Sequence, residues 1–140
     1  AITNISNLPP GSLTINLSGN LSVRPSSVVQ TPRSSIEAIS RGPADSAGLT
    51  IIAHDVLISD GSSLTTETLD SGDAGPLTIS AVNLHLTNGG QIKSGSRQGI
   101  DPNTGLPVPF LPSGSGGTVT IQFQAGPAAS ILIDGGRERI

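Results

Sequence analysis

The sequence predicts an all-β chain wound as a parallel β-helix, a solenoid of about four rungs. Three observations predict it. A strand-like triplet recurs four times, the residues after it alternate with a period of two, and aromatic core fillers are nearly absent. Each points to short strands stacked around a thin aliphatic interior.

The triplet sets the frame. GSLTI opens at Gly11, AGLTI at Ala47, GPLTI at Gly75 and GTVTI at Gly117. The apolar–Thr–Ile units start at Leu13, Leu49, Leu77 and Val119, so their spacings are 36, 28 and 42 residues. The middle two repeats align without a gap, LTIIAHDVLISDGSSLTT over LTISAVNLHLTNGGQIKS. Leu49 then meets Leu77, Ile51 meets Ile79, Val56 meets Leu84, Ile58 meets Leu86 and Leu64 meets Ile92. The first repeat follows through Leu13, Ile15, Leu17, Leu21, Val23 and Val29. The fourth follows through Val119, Ile121, Phe123, Ile131 and Ile133, before Asp134-Gly135-Gly136.

Within the third repeat, alternation predicts a strand over 77–81 and a second over 84–86. A turn follows at Asn88-Gly89-Gly90, then a third strand over 91–93. Asn-Gly and Gly-Gly are turn chemistry. The one stretch with a trace of helical period is SSIEAIS, 34–40, which predicts a single helical turn.

Three strands per repeat, with the same inward positions each time, describe a coil. Two ladders fill it: Leu13, Leu49, Leu77 and Val119, and beside them Ile15, Ile51, Ile79 and Ile121. Thr14, Thr50, Thr78 and Thr120 lie between inward neighbours and predict an outward threonine ladder. A hairpin meander or antiparallel sandwich is the structural rival, because Asn-Gly-Gly also suits hairpins. Hairpins do not account for whole strand–turn–strand units recurring with the same inward positions. Surplus residues fall at 31–46, 67–75 and 95–117, which predicts long loops from one corner of a single 1–140 domain.

Composition narrows the function classes. Charged residues are 12% and net charge is −3, with no basic run, so no nucleic-acid footprint is present. No apolar run reaches the roughly 18 residues of a membrane span. Cysteine is absent, which excludes disulfides and thiolate metal sites. The 18 glycines and 11 prolines would suit disorder, but the aliphatic residues are periodic rather than scattered.

Candidate chemistry is sparse. His54 and His85 fall at different places in their repeats, five and eight residues after the triplet start, and are expected not to stack into a site. Asp60, Glu67, Asp70 and Asp73 share one loop, in neither EF-hand nor nonapeptide calcium spacing. They are expected to be solvated loop acids, with no metal site. Asp55 and Asp60 are the nearest thing to a glycosidase pair, yet no aromatic platform exists to stack a sugar. Arg24, Arg33, Arg41, Arg97, Arg137 and Arg139 are scattered. The sequons at Asn4, Asn16 and Asn20 are expected by chance in an Asn/Ser-rich chain. The chain is therefore expected to be no enzyme and to need no cofactor. A carbohydrate-binding or carbohydrate-active β-helix is the alternative.

The pattern G-x-L-T-I … L-x-L-x-N-G-G-x-I … G-G-x-[LV]-T-I, quoted from 75–92 and 116–121, resembles the repeats of the filamentous-haemagglutinin family. These are bacterial surface exoproteins exported by two-partner secretion. The resemblance covers roughly 49–121. It implies a right-handed parallel β-helix and a shaft segment of a longer exoprotein. It also implies an extracellular or outer-surface location and a structural or adhesive role. Separately, the sequence shows no convincing amphipathic cap at either end, so flanking repeats or further copies of the chain stacked head to tail are expected as partners; a surface glycan or another cell-surface ligand is the other expected partner.

Overall fold

The computed structural model describes residues 2–4, 11–25, 34–97, 104–106, 114–124 and 129–134. Val29, Arg33, Arg137, Arg139, Gly135, Gly136 and most of the loop at 95–117 lie outside them. The described residues form strands and no helix. The strands are β1 (Ile2–Asn4), β2 (Ser12–Asn16), β3 (Leu21–Val23), β4 (Ser35–Ser40), β5 (Gly48–Ile52) and β6 (Asp55–Ile58). They continue with β7 (Ser63–Thr68), β8 (Leu77–Ala81), β9 (Asn83–Thr87), β10 (Gln91–Ser96), β11 (Val119–Phe123) and β12 (Ser130–Asp134).

Each strand pairs in parallel with the strands three before and three after it. Sheet 1 runs β1-β4-β7-β10, sheet 2 runs β2-β5-β8-β11 and sheet 3 runs β3-β6-β9-β12. The chain thus visits three four-stranded sheets in rotation, a topology consistent with a β-helix or solenoid-like fold. Among the described residues no strand pairs with its neighbour in sequence, so the Asn-Gly turn closes no hairpin here.

Register follows from the side chains. Because strand side chains alternate with a period of two, a slip by one residue would turn every aliphatic side chain out into water. In sheet 2, Leu13 stands opposite Leu49, Leu49 opposite Leu77 and Val119 opposite Leu77. Ile15, Ile51, Ile79 and Ile121 form the next inward column of the same sheet, and Thr14, Thr50, Thr78 and Thr120 the column between. Sheet 3 adds Leu21–Val56–Leu84–Ile131 and Val23–Ile58–Leu86–Ile133. Sheet 1 contributes Ile36–Leu64–Ile92. Buried members of all three sheets meet in one cluster. Each fully buried Leu or Ile contributes roughly 1.5–3 kcal/mol of transfer free energy.

Burial is deepest in the middle of each column. Leu49, Leu77, Leu84 and Leu86 are fully buried, whereas Ile131 and Ile133 at the far edge are 44% and 50% exposed. Thr14 is exposed, and Thr50, Thr78 and Thr120 are half-buried.

Three sequence expectations are corrected. SSIEAIS is not a helical turn but strand β4, parallel to β7, with Ile36 on Leu64 and Ala38 on Thr66. An isolated helical turn carries the nucleation cost with almost no propagation, whereas this strand gains a complete ladder. The third strand of the first repeat is therefore β4, so that much of the supposed 31–46 surplus is sheet rather than loop. The third strands of the second and third repeats also run past position 93 or its equivalent, to Thr68 and Ser96. Glu67 accordingly lies in β7 and Gly95 in β10, not in loops.

The turn between sheets 3 and 1 explains the Asp-Gly and Asn-Gly pairs. Asp60 and Gly61 have φ of 56° and 75°, and Asn88 and Gly89 have 48° and 81°. Asp and Asn tolerate this left-handed region and glycine enters it freely. Two such residues in succession, closed by Ser62 N–H to Ser59 O and by Gly90 N–H to Thr87 O at 3.0 Å each, reverse the chain tightly.

Candidate functional site

The polar side chains of the described residues collect at the bends, where they form short ladders from one repeat to the next. The first ladder stands at the bend between sheets 2 and 3. His54 lies on the bend itself. Its backbone N–H donates to Gly19 O at 2.8 Å and its carbonyl accepts from Val82 N–H at 2.8 Å. That holds Asp55, Asn83 and Ser130 in one column. Asn83 Nδ2 donates to Asp55 Oδ1 at 2.7 Å, and Ser130 Oγ donates to Asn83 Oδ1 at 2.8 Å. His54 Nδ1 meets Asp55 Oδ1 at 3.0 Å.

The hydrogen bond from Asn83 holds the Asp55 carboxyl below its usual value of 3.8; partial desolvation opposes the shift, and the positive fields of His54 and His85 add to it. His54 touches this carboxylate directly, whereas His85 stands in the next repeat opposite Leu57. Ser130 bonds to Asn83 and His54 to Asp55, so no hydroxyl is paired with an imidazole as a nucleophile would require.

The sign of its pH dependence follows. A carboxylate whose folded pKa is depressed contributes stability above its unfolded pKa and loses it as pH falls through the folded value. Asn83→Ala removes the largest cause of the shift. The difference in Tm between wild type and this variant is expected to be greatest above about pH 4 and to shrink below it, as read by thermal melts from pH 7 to pH 2. A pH-independent difference would show that the variant's effect is loss of the Ser130 bond alone.

The second ladder stacks the positive-φ turns. Asn88 Nδ2 donates to Asp60 Oδ1 at 3.2 Å and Gly61 N–H donates to Asn88 O at 3.0 Å. Ser59 Oγ supports Asp60 Oδ2 at 2.8 Å. The third lies where the chain passes from sheet 1 back to sheet 2. Asp45 Oδ1 accepts the Asp73 N–H at 2.8 Å, and Asp73 Oδ1 accepts the Ser115 N–H at 2.6 Å. A shallow hollow beside it is lined by Asp45, Ser46, Asp73, Gly75 and Pro76.

The acids read from sequence as one solvated group are therefore separately employed. Asp60 and Asp73 brace turns. Glu67 pairs with Arg97, Nε to Oε1 at 2.7 Å, with its side chain only 15% exposed. Asp70 accepts the Ser71 N–H at 2.8 Å. Among the described residues no group of three or more His, Asp or Glu is placed to hold a metal ion. Nor is any helix there long and apolar enough to cross a membrane.

A buried polar seam was missed in the sequence. In sheet 1 the columns beside Ile36–Leu64–Ile92 are Ala38–Thr66–Ser94 and Ser40–Thr68–Ser96. Thr66 is fully buried. Its Oγ1 donates to Gly75 O at 2.7 Å and lies 2.8 Å from Ser94 Oγ, which itself reaches Gly75 O at 3.1 Å. Gly75 N–H donates to Ser46 Oγ at 2.7 Å. These bonds tie sheet 1 to the start of sheet 2 across the interior. A small-or-hydroxyl residue at alternate positions after the aliphatic one (Ile-x-Ala-x-Ser, Leu-x-Thr-x-Thr, Ile-x-Ser-x-Ser) is the signal that marks the seam.

The fold and these ladders define a repeat-built, parallel-sheet protein whose polar side chains form ladders at its bends and a seam within sheet 1. Comparison with known proteins adds no name to that class: no family model, no curated protein and no solved structure matches the chain.

Proposed function

We propose that this chain is a shaft segment of a bacterial extracellular or cell-surface filament, with a structural or adhesive role and no catalytic one. In this reading the fold is a right-handed parallel β-helix of about four rungs, with long loops from one corner. The supporting observation is the register. Three sheets are stacked in parallel with the same residue types in each inward column, and three Asx pairs bond across a common offset of 28 residues. Side chains with hydrogen-bonding capacity are spent on joining one repeat to the next, which is what a shaft requires.

A general rule supports the right hand in this reading: parallel strand–crossover–strand connections are right-handed in about 98% of cases. The resemblance of the L-T-I and N-G-G repeats to filamentous-haemagglutinin shafts supports the location, and adhesion would use the corner loops, since solenoids carry insertions on one face. Antibodies raised against the chain and applied to thin sections of source cells are expected to give immunogold label on the outer surface or on shed fibres. Label confined to the cytoplasm would contradict the proposal.

A further inference from the structure

The turn between β9 and β10 carries a reactive pair. Asn88-Gly89 is the one place in the sequence where asparagine precedes glycine; every other asparagine precedes Ile, Leu or Thr. Glycine has no side chain to keep its backbone nitrogen from the asparagine side-chain carbonyl carbon.

The fold holds this pair against the turn of the preceding repeat. Asn88 is exposed, with φ of 48°, and Gly89 follows at 81°. Asn88 Nδ2 donates to Asp60 Oδ1 at 3.2 Å, and Asn88 O accepts the Gly61 N–H at 3.0 Å. Asp60 is itself held by Ser59 Oγ, which donates to Oδ2 at 2.8 Å.

We propose that Asn88 is a self-modification site that Asp60 keeps closed. The chemistry needs no partner but water. The Gly89 nitrogen gives up its proton and bonds to Asn88 Cγ. The Cγ–Nδ2 bond breaks, the amide nitrogen leaves as ammonia, and a five-membered imide closes. Water then opens that ring at either carbonyl, giving aspartate or its β-linked isomer. Nothing is oxidised or reduced. Asp60 opposes the first step in two ways. Its bond to Nδ2 restrains the amide against turning. Its negative charge stands beside the oxyanion that forms as the nitrogen adds to Cγ, and like charge there raises the barrier.

The product does not fit the turn. Aspartate at position 88 sets a carboxylate against Asp60 Oδ1, where the amide had donated. The β-linked isomer adds a backbone atom before Gly90, where even a β-carbon would strike Ile58 O. Modification of Asn88 therefore loosens the contact between the second and third repeats.

The rate of the reaction tests the assignment. The full chain is incubated at pH 8 and 37 °C, and mass spectrometry of the peptide carrying Asn88 follows the exchange of NH2 for OH. The native chain is expected to react roughly tenfold or more slower than the same chain in denaturant, because the turn must open first. Asp60→Gly removes the carboxylate and accepts the positive φ, and is expected to raise the native rate roughly threefold or more. Asn83→Ala breaks the ladder at the other bend and is expected to leave the Asn88 rate near wild type. Equal rates in native and denatured chains, no rise in Asp60→Gly, or an equal rise in Asn83→Ala would each overturn the proposal.

Discussion

Leu77→Ala is expected to lower stability by about 2–5 kcal/mol, and Ile131→Ala by about 1 kcal/mol. Both residues occupy inward columns, and both lose a branched side chain. They differ in their neighbours. Leu77 has Leu49 on one side and Val119 on the other, and is fully buried. Ile131 has Leu84 on one side and is 44% exposed. Truncation in the middle of a column leaves a void that neither flanking strand can fill without breaking its own ladder. Truncation at the edge mostly returns surface to water that was already there. Urea unfolding should give a large fall in midpoint for Leu77→Ala and a small one for Ile131→Ala, with similar m-values. Equal costs would mean that the two positions do not belong to the middle and edge of one stack.

Gly75→Ala is expected to cost about 3–5 kcal/mol, through two effects that act together. A β-carbon at Gly75 would collide with the carbonyl oxygens of Ala47 and Ser46, which are backbone atoms fixed by the neighbouring repeat. Moving Gly75 away to relieve the clash loosens its N–H bond to Ser46 Oγ and its carbonyl bonds from Thr66 and Ser94. The seam between sheets 1 and 2 opens at its tightest point. Gly95→Ala is the matched control, because a β-carbon there meets nothing within 4 Å. It is expected to lie within about 0.5 kcal/mol of wild type. In thermal melts Gly75→Ala should fall by roughly 10 °C or more while Gly95→Ala stays near wild type.

The parts of the fold that could be read from sequence are those where burial and alternation coincide. Leu49, Ile51, Val56, Ile58 and their counterparts 28 residues on are aliphatic, regularly spaced and inward, so hydrophobic pattern alone locates sheets 2 and 3. Sheet 1 was harder because most of its inward positions are Ala, Ser or Thr. Thr66 and Ser94 carry no apolar signal, and their inward place is set by Gly75 O, which lies against both. β4 was hidden for a second reason: SSIEAIS carries no L-T-I signature. Its strand state comes from Leu64 and Thr66 in the neighbouring repeat, a tertiary effect that local propensity cannot report.

The polar ladders were legible in part. Asp55 over Asn83 and Asp60 over Asn88 appear in the gapless comparison of 49–66 with 77–94, as carboxylate over amide at the same offset. That pairing is the signal for a cross-repeat hydrogen bond, since one partner accepts and the other donates. Asp45 and Asp73 share the offset but bond through a backbone N–H, which side-chain chemistry does not announce. The contact of His54 with Asp55 needed the bend geometry, because His54 stands on the bend itself.

The central claim is that repeats stack in parallel and in register, with each strand beside those three before and after it. Residue-resolved NMR tests it most directly. The stack predicts interstrand NOEs linking Thr50 with Thr78, Thr78 with Thr120 and His85 with Leu57, and none between the ladders of β8 and β9. NOEs pairing β8 with β9 in antiparallel register would contradict the account and replace the coil with a meander.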